Sequence, residues 1–473
     1  MEPRDADHQL STPVTLVKLA AAFVAMTVLV ASPLHGQGSA LAPGIAIATF
    51  DTAWSRINES HFDTAFLSTR WRVLRDSLRP LAERATTNNE LRRVIQGMLS
   101  SIGTSHFGLI PREASPVLDA LDRSATGGGG GVGGGAAGSA GVTLRIADNA
   151  LIVWKVGDDS PAWSSGVRPG DRVLSINGVA LDSAVAELPA IQDEHVRRQT
   201  ALALAMRANA MLNGPMSDLV SLVIGQPGAS RELRIQRAPA SGAMVRFGNL
   251  PPMNAHVDVT EQLVDSPQGR RRIGVIAFSV WMVLVGPQID SAVHRFRDAD
   301  GIVLDLRGNP GGLAALTGRV AGHFVDSAYS LGTLYMRATT LSLVANPQRV
   351  APDGATRVRP YDGPVAVLMD QLSASASEFF AAGIQGLGRA RVFGDTSAGA
   401  SVPALMGRLP NGDVMLHAIA DHLDSRGRRV EGRGVIPDDV IQLNAADLAA
   451  GRDAPLAAAV HWITTQPRRS QSQ

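Results

Sequence analysis

The chain has 473 residues, 45% of them hydrophobic and 18% charged, a globular balance with apolar material for several cores. The formal net charge is +1, so no strong field selects nucleic acid or an acidic surface. Cysteine is absent, which excludes disulfides, thiolate metal sites, a cysteine nucleophile and a lipid anchor on an N-terminal cysteine.

A polar stretch containing Arg4 and Lys18 precedes the apolar run Leu19 to Ala31, and the small-residue segment SPLHGQGSA follows. The run is shorter than the ~20 residues of a membrane span. It predicts a signal peptide over 1–40, cut between Gly36 and Ala40, and hence an exported, periplasmic or extracellular protein. An uncleaved signal anchor is the alternative. No later stretch is long and apolar enough to span a bilayer.

Residues 45–115 read as a helical domain. Phe50, Trp54 and Ile57, then Trp71, Leu74, Leu78 and Leu81, recur at three- and four-residue spacing. Asn88 or Asn89 is placed to cap a further helix, and Gly103 breaks the pattern just before Thr104-Ser105-His106. The stretch GGGGGVGGGAAGSAG from Gly127 to Gly141 predicts a flexible linker over 124–141. No G-K-[ST] ends it, which argues against a phosphate-binding loop.

Over 142–240 short strands alternate with turns (VTLRI, LIVWKV, RVLSI, LVSLVIG, ELRIQRA), with a helix from Ala184 to Leu212. Over 255–445 the apolar strands IGVIAF, GIVLDL, VAVLMD and ARVFG alternate with helices at 287–296, 313–324 and 377–387, which predicts an α/β core. A last helix over 446–464, in a C-terminal piece spanning 446–473, is expected to pack outside that core.

The segment DSPAWSSGVRPGDRVLSINGV, Asp159 to Val179, resembles a PDZ domain of the bacterial protease type. Such domains capture an extended peptide as an added strand and hold its C-terminal carboxylate on backbone N–H groups. The resemblance assigns that role to Gly138, Ser139, Ala140 and Gly141. A purely packing role for the domain is the alternative.

Two further constellations carry chemistry. In DLRGNPGG, Asp305 to Gly312, a strand enters a glycine turn whose N–H groups can face an anion. In SASASE, Ser373 to Glu378, small residues surround hydroxyls at a helix start, where developing negative charge is favoured. A serine-rich N-cap with Glu378 in the first turn is the plainer reading of the same residues. GDTSAGAS from Gly394 and VEGRGVIPDDVI from Val430 follow. No H-E-x-x-H or other histidine spacing suits a metal, and no cofactor is expected.

In this order, the motifs resemble the carboxyl-terminal processing, or tail-specific, peptidases of family S41. The resemblance implies a ClpP/crotonase-like α/β core with an inserted PDZ domain and an N-terminal helical domain. It makes Ser375 the nucleophile and polypeptides the substrates, and leaves the oligomeric state open. One departure matters. The family's Ser/Lys dyad has a lysine where this chain has Ala400, and the only lysines here are Lys18, inside the signal segment, and Lys155 in a PDZ strand. A serine hydroxyl needs an adjacent base. The tricorn-core-like branch uses a histidine in G-T-S-H, which matches Gly103-Thr104-Ser105-His106. That branch implies His106 as base, Ser105 beside it and Glu431 at the far end. Asp438 and Asp439 are read as turn residues. The oxyanion donors implied are the N–H of Ala376 and one from Gly311 or Gly312. A non-catalytic binding protein on the same fold and a peptide-presenting PDZ scaffold are the rival readings.

Overall fold

A computed structural model describes residues 41–112, 137–226, 228–240, 242–245 and 253–467. The expected signal peptide and most of the expected linker lie outside the described residues. Among the described residues no helix is long and apolar enough to cross a membrane.

Three helices come first: α1 (Ile45–Ser60), α2 (Arg72–Glu83) and α3 (Asn88–Ser100). Their apolar stripes bury Phe50, Ile57, Trp71, Leu91, Ile95 and Met98 in one cluster. The cap of α3 is Thr87 rather than an asparagine. Its hydroxyl accepts from the Glu90 N–H and the Glu90 carboxylate accepts from the Thr87 N–H, a reciprocal capping box. The domain expected to be helical over 45–115 does not stay helical to its end. Gly108–Ile110 is a strand, paired antiparallel with Val414–Ala418 of the core. That pairing fixes the segment 104–107 at the junction of the two units.

The PDZ unit consists of β1 (Val142–Ala147), β2 (Ala150–Val156), β3 (Val173–Ile176), α4 (Glu194–Leu212), β4 (Leu219–Gln226) and β5 (Ala229–Gln236). Alternate residues such as Leu144, Val153, Ile176 and Leu222 pack on Ala201, Ala208 and Leu212 of α4. The helix expected from Ala184 is interrupted. Pro189 sits in a single 3₁₀ turn, and Asp193 then caps α4 by accepting from the Val196 N–H at 3.0 Å.

The core sheet is built from β6 (Val257–Val264), β7 (Arg271–Phe278), β8 (Gly301–Asp305), β9 (Val365–Met369), β10 (Arg391–Gly394) and β11 (Asp439–Val440), side by side in that order. β6 is antiparallel to β7, and every other pairing is parallel. Every residue of β8 and β9 is buried, because helices cover both faces. On one face lie α5 (Gly286–Arg295), α6 (Ala315–Ala321) and α7 (Ala376–Gly386), which bury Ile289, Val320 and Phe380 against Ile302 and Leu304. On the other, α8 (Ala454–Thr465) buries Val460 and Ile463 against Val303 and Leu368. The single terminal helix expected over 446–464 is therefore two pieces, Ala445–Ala449 and α8, parted at Gly451 with φ 71°.

β8 and β9 both end, at their carboxyl edge, in the turns that carry the sequence motifs, the usual place for a site in a parallel sheet. Arg145 of β1 joins the PDZ unit to both turns. Its Nε donates to Asp370 Oδ2 (2.8 Å) and its Nη2 to the Arg307 carbonyl (2.9 Å), while Asp370 Oδ1 accepts from the Gly308 N–H (2.8 Å). A Cβ on Gly308 would lie 1.9 Å from that guanidinium, so only glycine fits. Breaking a buried ion pair on one side strands the other charge. Arg145→Met is expected to lower the unfolding free energy by about 3 kcal/mol in a denaturant titration; no change in the midpoint would show that the pair does not hold the units together.

Candidate active site

Three serines of the turn between β9 and α7 have different surroundings. The Ser373 hydroxyl donates to the Leu306 carbonyl (2.8 Å) and accepts from the Asp370 N–H (3.0 Å). The Ser377 hydroxyl donates to the Asn309 carbonyl and accepts from Trp281 Nε1, both at 2.9 Å. Both side chains are fully buried and satisfied. Ser375 is half-buried, stands at the N-cap of α7, and holds φ 53° with ψ −117°. A non-glycine residue there costs about 1–3 kcal/mol and persists only where its surroundings enforce it.

The enforcing group is Glu378, buried one turn into α7. Its carboxylate accepts from the N–H groups of Ser375 (3.0 Å), Gly399 (2.7 Å) and Ala400 (3.0 Å) and from the Ser397 hydroxyl (2.5 Å). Burial drives its pKa up to about 7 against those hydrogen bonds, and the Glu431 charge pushes the same way. The first-turn glutamate of the plainer reading is thus a clamp on the nucleophile turn, which spacing alone does not reveal.

The glycine turn lies directly against Ser375. A Cβ on Gly311 would sit 2.6 Å from the Ser375 Cβ. The Gly311 N–H is occupied by Asn309 Oδ1 (3.0 Å), which removes it as an oxyanion donor. On either side of Gly312, the Trp281 N–H donates to the Gly311 carbonyl (2.9 Å) and the Leu313 N–H to the Trp281 carbonyl (2.7 Å). The N–H of Gly312 therefore points away from Trp281, and it has no partner among the described residues. The same holds for Ala376, the first residue of α7, whose N–H lies outside the helix ladder.

Ser105, His106 and Glu431 come together from distant parts of the chain. Glu431 Oε1 accepts from the Ser105 N–H (2.7 Å), and Oε2 accepts from the Ser105 hydroxyl (3.1 Å) and the Ser401 N–H (2.7 Å). The Ser105 oxygen lies 2.7 Å from His106 Nδ1. His106 has φ 63°, a second strained residue. It keeps an accessible edge, but burial of the ring pushes its pKa down to about 4. Burial likewise raises the Glu431 carboxyl, against its hydrogen bonds. The set reaches Ser375 through the backbone: Ser401 binds Glu431, and the preceding carbonyl of Ala400 accepts from the Ser375 N–H at 2.9 Å. No hydrogen bond joins the Ser375 hydroxyl to His106 in this arrangement.

Ala400, where the dyad lysine would stand, is buried among Leu372, Ala374 and the α4 residues Leu202 and Ala205. Lys155 stacks on Trp154 in the PDZ unit, 4.1 Å from the ring centroid. Asp438 accepts from the Val392 N–H (2.8 Å) and Asp439 pairs with Arg391 (2.5 Å), both structural. The expected carboxylate loop departs from its reading. Gly138 and Ser139 lie in a strand paired on both sides, the Ala140 N–H donates to the Leu212 carbonyl (3.1 Å), and the Gly141 N–H donates to the Ser139 hydroxyl (3.1 Å). The glycines serve close packing: Cβ atoms at Gly138 and Gly141 would lie 2.8 Å from Met216 Cα and 2.2 Å from Ser160 Cβ. A cleft of about 830 Å³ nevertheless opens between PDZ unit and core, with Ser139, Gly141, Phe278, Gly308 and Pro310 on its walls.

Residues 272–441 match peptidase family S41, residues 152–204 a PDZ domain and residues 48–100 the tricorn protease C1 domain. Residues 272–441 thus form a peptidase family S41 domain. A carboxyl-terminal-processing protease of Synechocystis sp. is 26% identical over 423 residues, 87% of this chain and 85% of that one. The carboxy-terminal processing protease CtpB of Bacillus subtilis is 26% identical over 365 residues, 76% of this chain and 64% of the relative. Two solved structures share the fold. A photosystem II D1 C-terminal processing protease matches with TM-score 0.54 and 19% identity, covering 85% of this chain and 93% of that one. Mature CPAF complexed with lactacystin matches with TM-score 0.55 and 12% identity, covering 89% and 97%. This S41 chain is a serine peptidase, a hydrolase of peptide bonds whose substrates are polypeptides.

The contact of Gly311 with Ser375 gives a direct test. Gly311→Ala forces the nucleophile turn to move, and is expected to lower kcat by ~10²-fold with KM little changed. An alanine variant with wild-type kcat would show that the turn does not position Ser375.

Proposed function

We propose that this S41 peptidase works outside the cytoplasm as an endopeptidase, with Ser375 as nucleophile and His106 as its base. The observation that carries the reading is the Ser375 hydroxyl, half-buried at a strained backbone position, between two serines whose hydroxyls are fully buried and bound. The apolar run Leu19 to Ala31 with its small-residue end supports export.

Hydrogen-bond logic sets the histidine tautomer. An ionised Glu431 can only accept, so the Ser105 hydroxyl donates to it. The Ser105 oxygen then accepts from His106, which places the proton on Nδ1 and leaves the Nε2 lone pair for Ser375. Ser375 Oγ attacks the peptide carbonyl as Nε2 takes its proton. The oxyanion forms against the N–H groups of Gly312 and Ala376, at the positive end of α7. The imidazolium is stabilised through Ser105 by Glu431 and gives its proton to the leaving amine. Water then repeats the cycle on the acyl-enzyme. The Nε2–Oγ contact closes only with substrate in place, as is common for catalytic hydrogen bonds. The cleft beside Gly308 and Pro310 suits an extended polypeptide, with the PDZ unit recognising its C-terminal end.

Ser375→Ala and His106→Ala are each expected to lower kcat by at least ~10³-fold, and the double variant to be little worse than either. A folded His106→Ala enzyme with most of its activity would sink the histidine base. The base works when neutral, so activity should rise with pH through the His106 pKa. Because burial places that value at about 4, the acid limb should lie near pH 4 and not at the unperturbed ~6.5. A profile rising only above about pH 9 would instead indicate an amine base.

A further inference from the structure

The two N–H groups aimed at the oxyanion come from different segments: Gly312 follows β8, and Ala376 opens α7. One oxygen is held by both only if the segments keep a fixed separation. They lie close together, since a Cβ on Gly311 would stand 3.0 Å from the Ala376 nitrogen. The residue that touches both is Trp281, just past the end of β7.

The backbone of Trp281 takes the glycine turn on both sides. Its N–H donates to the Gly311 carbonyl (2.9 Å) and its carbonyl accepts from the Leu313 N–H (2.7 Å), a parallel bridge to Gly312. A Cβ on Gly312, at φ 139°, would lie 2.3 Å from the Trp281 oxygen, so the approach needs glycine. The side chain of Trp281 takes the other segment. Nε1 donates to Ser377 Oγ (2.9 Å) in the first turn of α7. An indole nitrogen can only donate, so the Ser377 proton goes to the Asn309 carbonyl (2.9 Å), which also accepts from the Ala374 N–H (3.1 Å). Asn309 Oδ1 returns to the glycine turn by accepting from the Gly311 N–H. Trp281, Asn309 and Ser377 are all at 0% exposure, where solvent does not replace a lost partner. The indole packs against Phe278, with ring centroids 4.8 Å apart, and against Phe380 of α7, at 5.4 Å.

We propose that Trp281 is a positioning residue for the oxyanion hole. Its backbone sets the Gly312 N–H, its indole sets the Ala376 N–H through Ser377, and one residue thereby fixes the span between the two donors. Loosening that span weakens binding of the tetrahedral state and leaves ground-state binding of the polypeptide alone. The inference rests on Ser375 as nucleophile with Gly312 and Ala376 as its donors.

The test uses the full-length protein, one short reporter peptide and two inhibitors of matching sequence. One is a peptide aldehyde, whose hemiacetal with Ser375 Oγ puts its oxygen in the hole. The other is a reduced-amide peptide, in which a methylene replaces the scissile carbonyl. Trp281→Phe keeps an aromatic ring and loses the donor. It is expected to lower kcat about 10-fold, to raise the aldehyde Ki about 10-fold, and to leave KM and the reduced-amide Ki within about 2-fold. Ser377→Ala should do the same, and the double variant should be little worse than either. A wild-type kcat in Trp281→Phe, equal rises in Ki for both inhibitors, or additive losses would overturn the positioning role. Should Trp281→Phe not fold, Ser377→Ala decides: matched changes in kcat and aldehyde Ki support the role, and wild-type values of both overturn it. Retained activity in Ser375→Ala would instead remove the nucleophile on which the inference rests.

Discussion

Two buried carboxylates hold the segment Gly399 to Ser401 between them, and the rest of the site depends on that. Glu378 takes the N–H groups of Gly399 and Ala400, and Glu431 takes that of Ser401. Each carboxylate also holds one half of the proposed catalytic set: Glu378 binds the Ser375 N–H and Glu431 binds Ser105 beside His106. Burial raises both pKa values, Glu378 to about 7, where the Glu431 charge adds to the rise. The cost is met by backbone N–H groups aimed at the oxygens. The same bonds force Ser375 into its positive-φ conformation.

This arrangement explains how the chain dispenses with a lysine. The family's lysine position is Ala400, which is buried in one apolar cluster with Leu202 and Ala205 of α4. The base proposed in its place, His106, comes from the N-terminal unit, next to a strand. Gly108–Ile110 pairs with Val414–Ala418, and Phe107 is buried in the cluster that contains Met415 and Val402. His106 is thereby fixed at the seam. Three units converge on the proposed site: the helical unit brings His106, the core brings Ser375 and the N–H groups of Gly312 and Ala376, and the PDZ unit contacts both turns through Arg145 and α4.

Much of this was legible in the sequence because it is local. Apolar runs such as GIVLDL and VAVLMD could only be strands buried on both faces, and the glycines of DLRGNPGG marked a close approach. The missing lysine beside an intact Gly103-Thr104-Ser105-His106 pointed to histidine. What the sequence did not disclose is non-local. The choice between Gly311 and Gly312 turned on Asn309 Oδ1 occupying one N–H, and the role of Glu378 on contacts with residues 397–400. The glycines at 138 and 141 suggested a carboxylate cradle, but they are needed for backbone packing, and their neighbours' N–H groups are spent within the PDZ unit. Helix ends were misplaced where one residue intervened, at Pro189 and Gly451.

The central claim is that His106 alone activates Ser375, and the structure of a covalent adduct tests it most directly. A phosphonyl fluoride traps a serine nucleophile in a tetrahedral state. Phosphorus is expected to be bonded to Ser375 Oγ, with one phosphonyl oxygen ~3 Å from the N–H groups of both Gly312 and Ala376 and His106 Nε2 within ~3 Å of Oγ. An adduct on another residue, or on Ser375 with the imidazole out of hydrogen-bond reach, would contradict it.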